Sequence, residues 1–214
     1  MCKRERCKNV FEDEKIEWKS DKCKTVDWDD FYQDAKEDLQ PNEPEPRGKS
    51  VQINCFVDAD HAGNKVTRRS HSGILIYLNS APIDWYSKRQ NTVESSSFGS
   101  EFIALRIATE KLEALRYKLR MMGIPIDGPA NVFCDNDSVV KSSSTPESTL
   151  KKKHLSICYH KCRESQASGA VRVAWEQGTT NLADLLTKIL PGPKLRSLSA
   201  HHVLIGRLAG KGLF

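Results

Sequence analysis

From Val51 to Asp58 apolar side chains first alternate with polar ones and then run together through Cys55, Phe56 and Val57, the pattern of a β-strand. A second such run covers residues 72–78. Asn79-Ser80 reads as a turn into a third strand at 81–87, so the three predict an antiparallel meander. From Ser97 the period lengthens. Phe98, Phe102, Leu105, Ala108, Leu112, Leu115 and Leu119 recur every three or four residues until Gly123 stops them, which predicts one long helix. Residues 130–135 then predict a fourth strand, 138–142 a small helix, 151–167 a basic loop and helix, 169–175 a fifth strand and 181–188 a final helix. That order predicts an α/β fold with a five-stranded mixed sheet flanked by helices.

The first 40 residues carry no clean period. They are dense in charge with scattered aromatics (Phe11, Trp18, Trp28, Phe31, Tyr32), and only residues 27–39 fit a short helix. Pro41, Pro44 and Pro46 then mark an extended linker, because each proline removes a donor and biases its predecessor away from helix. The expectation is a poorly ordered N-terminal extension over residues 1–50.

Composition narrows the function. At 214 residues and 38% hydrophobic content the chain can bury one core and carry an extension. It has no apolar run near the length of ~20 residues that spans a bilayer, and no signal-peptide core, so neither a membrane partner nor secretion is expected. Seven cysteines without framework spacing read as reduced thiols, Cys55 and Cys134 as small core residues. Cys2/Cys7 and Cys158/Cys162, with His154 and His160 nearby, raise zinc. No Cys-x₂-Cys pair occurs, however, and helical recurrence is the preferred reading. The net charge of +5 is unevenly placed: residues 1–50 hold 11 Lys/Arg against 14 Asp/Glu, the remainder 22 against 14. The body of the protein is the basic part and favours a polyanion partner.

Four acids stand out because each sits at a strand end or on a helix: Asp58, Glu101, Asp135 and Asp184. Their separations far exceed the dozen residues of a calcium loop, so a folded domain has to gather them. Gathered, they suit a Mg²⁺ pair shared with a phosphate.

Seven strings in order carry a resemblance. They are Phe56-Val57-Asp58-Ala59-Asp60-His61-Ala62-Gly63, Arg68-Arg69-Ser70-His71-Ser72-Gly73, Trp85-Tyr86-Ser87-Lys88-Arg89-Gln90, Ser95 through Leu105, Cys134-Asp135-Asn136, Lys152-Lys153-His154-Leu155-Ser156-Ile157 and Leu182-Ala183-Asp184-Leu185-Leu186-Thr187-Lys188. Together they resemble the ribonuclease H domain at the C-terminus of copia-type retrotransposon polyproteins. The resemblance covers residues 51–208 and leaves 209–214 as a tail. It implies a ribonuclease H-like sheet and cleavage of the RNA strand of RNA–DNA hybrids during reverse transcription. It also implies that Asp58, Glu101, Asp135 and Asp184 hold two Mg²⁺ ions, with Mn²⁺ as a substitute. By the same resemblance the chain is a polyprotein fragment partnered by a reverse transcriptase domain, in cytoplasmic particles with the nucleus as the other location.

Several readings stay open. Strand period puts Asp60 on the face of Asp58, and only the motif favours Asp58. Asp137 beside Asp135 reads as a helix cap, Glu101 also fits a solvated helix face, and Asp184 fits a first-turn acid favoured by the helix dipole. Arg68, Arg69, Lys88, Arg89, Lys151, Lys152 and Lys153 are candidates to grip phosphates, against the plain alternative of a solvated surface. Ser97, opening the long helix, offers a hydroxyl and a helix N-terminus to phosphate. Where many cellular ribonucleases H have a histidine after a glycine before the last acid, this chain has Gly178-Thr179-Thr180-Asn181. A catalytically inactive or co-opted nucleic-acid-binding relic is the alternative function. An integrase ranks below both, because its last acid is normally a glutamate.

Overall fold

A computed structural model of the chain describes residues 22, 26–28, 30–37 and 39–202. Strands β1 (Ile53–Asp60), β2 (His71–Leu78) and β3 (Ala81–Arg89) form the expected meander, and Asn79 in the β2–β3 turn takes a left-handed φ of 53°. β4 (Ala130–Cys134) pairs parallel with β1, and β5 (Val171–Trp175) parallel with β4. The sheet order is β3-β2-β1-β4-β5, so β1 is central and buried on both faces. This burial explains the apolar run in its sequence. Even its polar Asn54 is buried, and Asn131 in β4 donates to it at 2.8 Å.

Helices α1 (Ser97–Met121), α2 (Asp137–Ser144) and α3 (Ser156–Ala167) lie along one face. The larger core forms there, where Phe102, Leu105, Ala108 and Leu112 of α1 meet Ile53, Cys55 and Val57 of β1 and Val132 of β4. Ser96 caps α1 by accepting from the Gly99 N–H, and Gly123, at a φ of 69°, follows its end. On the opposite face Phe56, Leu75, Tyr77 and Phe133 pack with Leu182, Ala183 and Leu198, brought in by α4 (Asp184–Thr187) and α5 (Gly192–His202). No described helix is long and apolar enough to cross a membrane.

Two expectations change. The final helix expected at 181–188 shrinks to the four residues of α4, and a further helix, α5, follows it. Asn181 is held outside any helix: its side chain donates to the Val57 carbonyl at 2.9 Å and accepts from the Ala183 N–H. At the other end Lys188 is extended (φ −127°, ψ 149°).

Residues 27–39 form turns among the described residues rather than a short helix. Phe31 and Tyr32 both donate to the Trp28 carbonyl, and Ala35 to that of Tyr32. The physical reason is a cluster around the buried Arg163: its guanidinium lies 4.8 Å from the Trp28 ring, 5.6 Å from Tyr32 and 4.7 Å from Tyr159. Aromatics converging on one cation need no helical stripe.

The described part of the N-terminal extension contacts the domain. Residues 1–21 lie outside the described residues, but Glu37 grips Arg116 of α1 through both carboxylate oxygens and also pairs with Arg120. The proline-marked linker runs beside the end of α1, where the Arg47 N–H donates to the Gly123 carbonyl. For Cys158/Cys162 the zinc alternative finds no support among the described residues. Cys162 is buried in the core, His154 pairs with Glu94, His160 bonds Tyr32, and no histidine joins a metal-ligating cluster among the described residues. Cys2, Cys7 and the tail 209–214 lie outside the described residues.

Candidate active site

Parallel pairing of β1 with β4 sets Val57 opposite Cys134, so the next residues, Asp58 and Asp135, emerge side by side at the same sheet end. Asp58 lies within β1, which runs on to Asp60, and is fully buried. The first turns of α1 cross above this end and deliver Glu101, and α4 delivers Asp184 from the other side of the sheet. Carboxylate oxygens of Asp58, Asp135 and Asp184 all lie within 4.8 Å of one another, and Glu101 comes equally near Asp135. The four acids singled out in the sequence thus meet in one place. The solvated-face alternative for Glu101 fails, since Glu101 is buried, whereas Asp184 does stand in the first turn of α4.

Crowding like charges in a buried site is costly, and the acids register it. Burial pushes the Asp58 carboxyl up to about 6. Burial, with Asp58 and Asp135 nearby, pushes Glu101 well above the usual carboxylate range, and burial also raises Asp135. Asp184 goes the other way. Its burial is outweighed by the ammonium groups of Lys188 and Lys194, which hold it below its ordinary value. Lys188 bridges Asp58 (3.1 Å) and Asp184 (2.6 Å), Lys194 reaches the second oxygen of Asp184, and Thr187 donates to Asp58. Glu101 Oε2 is buried with no hydrogen-bond partner.

That orphaned oxygen and the converging carboxylates fit a divalent cation, which takes oxygen ligands and offsets the repulsion. Cys134 also comes near Glu101 and Asp135, but burial raises its thiol well above its ordinary value. Asp137 caps nothing: Asn136 accepts from the Val139 N–H as the cap of α2, while Asp137 pairs with Lys141 in solvent.

The basic candidates divide into two sets. Arg69, Lys88 and Arg89 line a cleft of about 540 Å³ with Asp60, His71 and Thr187, beside the acids on the β2–β3 side. Lys151 and Lys152 line another of about 700 Å³ with Phe98, Ser138 and Lys141, beyond the start of α1. Arg68, Ser97 and Lys153 are exposed and line neither. Ser96, not Ser97, is the engaged hydroxyl, capping α1 and accepting from Lys152. Lys188 and Lys194 were not among the candidates in the sequence. The i, i+4 spacing of Asp184 and Lys188 was a signal for the first; Lys194 had none, because α5 itself was not expected.

No protein-family profile matches the chain. Against curated proteins it is 33% identical over 144 residues to the retrovirus-related Pol polyprotein from transposon RE1 of Arabidopsis thaliana. That match covers 67% of this chain and 10% of the relative. It is 30% identical over 147 residues to the Pol polyprotein from transposon TNT 1-94 of Nicotiana tabacum, covering 69% and 11%. Its homologues are retrovirus-related Pol polyproteins of transposons. The chain spans about a tenth of the length of these Pol relatives. Among solved structures, LC11-RNase H1 in complex with RNA/DNA hybrid superposes with a TM-score of 0.51 at 18% identity, covering 64% of this chain and 94% of that one. The sheet and its helices thus have the ribonuclease H fold, and the Pol segment agrees with the resemblance seen in the sequence.

Proposed function

We propose that this Pol-related chain is a Mg²⁺-dependent endonuclease that cleaves the RNA strand of RNA–DNA hybrids during retrotransposon reverse transcription. The observation that carries the reading is the meeting of Asp58, Asp135 and Asp184 oxygens within 4.8 Å, beside the unpartnered Glu101 oxygen, at the end of a ribonuclease H sheet. The names of the relatives and the hybrid bound to LC11-RNase H1 support the substrate class.

Asp58, Glu101, Asp135 and Asp184 would hold the ions. Bound Mg²⁺ supplies Lewis acidity toward the phosphate and a more acidic water. The protein's own residues set the geometry: β1 and β4 fix two carboxylates on adjacent strands, and α1 and α4 close them in from either face. Arg69, Lys88 and Arg89 on one flank and Lys151 and Lys152 on the other grip backbone phosphates, and Arg68, Lys153 and Ser97 add outer contacts. Hydrolysis leaves a 3′-hydroxyl and a 5′-phosphate. A reverse transcriptase domain of the same polyprotein is the expected partner and a cytoplasmic particle the expected setting.

The test is an end-labelled RNA–DNA hybrid incubated with and without Mg²⁺, beside Asp135→Asn and a double-stranded DNA control. Metal-dependent loss of the RNA strand alone, absent in the variant, is expected. Hybrid binding without any cleavage would overturn the reading in favour of a nucleic-acid-binding relic.

A further inference from the structure

Within the acid cluster the four carboxylates are not equivalent. Both oxygens of Asp58 are engaged, one by Lys188 and one by Thr187, and both oxygens of Asp184 are engaged, one by Lys188 and one by Lys194. Glu101 Oε2 has no partner, and Asp135 joins no ion pair among the described residues. The cluster therefore has an open half, Glu101 with Asp135, and a half already closed by ammonium groups.

The lysines are held there by packing. Lys188 leaves α4 in extended conformation, Leu190 packs on the smaller core, and α5 returns with Leu198 buried in that core and Lys194 one turn earlier. Lys194 also donates to the Gly178 carbonyl at 3.1 Å, and a Cβ on Gly178 would stand 3.2 Å from an Asp135 oxygen, so this loop abuts the cluster. Each lysine side chain is about a third exposed, at 38% and 34%, so its ammonium has solvent to swing into.

We infer that Lys188 and Lys194 are built-in competitors for the metal site: they neutralise Asp58 and Asp184 until a divalent cation displaces them. The inference rests on the metal-dependent reading above and adds the residues that set the affinity. A divalent ion bound to the oxygens of Asp58 and Asp184 would stand within a few ångström of the ammonium groups on the same oxygens, and the repulsion between the cations sets the ion against the lysine contacts. The open half fills first and the lysine-held half second. The sign of the effect is diagnostic: a merely structural lysine would weaken metal binding when removed, and a competing lysine strengthens it.

The experiment is Mn²⁺ titration of the full chain, followed by electron paramagnetic resonance, for wild type, Lys188→Met, Lys194→Met, Lys188→Arg and Asp135→Asn. Thermal melting of each metal-free protein runs alongside. Expected are a metal-free melting temperature below wild type for Lys188→Met, a roughly tenfold tighter weak Mn²⁺ site, and near-wild-type behaviour for Lys188→Arg. Lys194→Met gives an independent reading through Asp184 alone. Unchanged or weaker Mn²⁺ binding in both methionine variants, with wild type binding normally, overturns the inference and leaves the nuclease reading standing. No Mn²⁺ binding in wild type or in either methionine variant overturns both. Binding by Lys188→Met where wild type shows none supports both.

Discussion

Gly73 lies directly opposite Asp58 in the β1–β2 ladder, and α4 fills the space its missing side chain leaves. A Cβ there would stand 2.5 Å from Thr187 Cγ2, 2.8 Å from the Ala183 carbonyl oxygen and 3.0 Å from Leu186 Cβ. The glycine thus lets the segment bearing Thr187, Asp184 and Lys188 close onto Asp58. Gly73→Ala should push α4 off the sheet, destabilise the fold by about 1–3 kcal/mol, and lower hybrid cleavage more than that loss of folded protein explains. Urea unfolding and cleavage rates on the same samples check this; full activity would show that α4 tolerates the displacement.

Glu37 binds Arg116 at 2.6 and 2.8 Å and Arg120 at 2.7 Å, with the Arg116 side chain only 4% exposed. Burial raises the Glu37 carboxyl, but the two arginines outweigh it and hold it below its ordinary 4.5. A depressed acid stabilises the fold above its unfolded-state value and loses that contribution as pH falls through the lower folded-state value. Glu37→Gln should therefore cost about 2 kcal/mol near neutrality and almost nothing once the carboxyl is protonated. Urea midpoints of both proteins, compared at neutral and acid pH, give the difference; a gap that persists in acid would count against the ion pair.

Trp28 is 7% exposed and stacks over Arg163. Trp28→Ala should cost about 3 kcal/mol, and a chain cut to begin at residue 51 should melt well below the full chain. Thermal melts of both decide whether the segment before the prolines belongs to the folded unit. Equal melting temperatures would show that it does not.

Lys88 and Arg89 have no carboxylate partner among the described residues and line the cleft beside Asp60. Replacing both with alanine should weaken hybrid binding across all sequences and reduce the salt slope by about 1 per residue removed. Affinity measured over a series of salt concentrations reads the slope directly. An unchanged slope would place these side chains away from the phosphates.

The local patterns legible in the chain were those with a short period or a contiguous string. Strand alternation, the three-to-four-residue recurrence in α1 and the acidic motifs placed five strands, the long helix and all four acids, with bounds shifted by one or two residues. The basic body and the phosphate-gripping candidates were equally visible as composition. Only the tertiary structure decided that Asp58 and Asp135 leave neighbouring strands, since that follows from the parallel register of β1 with β4 across many intervening residues. It also decided that Glu37 meets Arg116, that Trp28 covers Arg163, that Lys188 closes on Asp58 and that Lys194 closes on Asp184. These contacts join segments whose meeting is set by sheet order and core packing. A period reports only which side of its own element a residue faces, so it names the candidates without naming their partners.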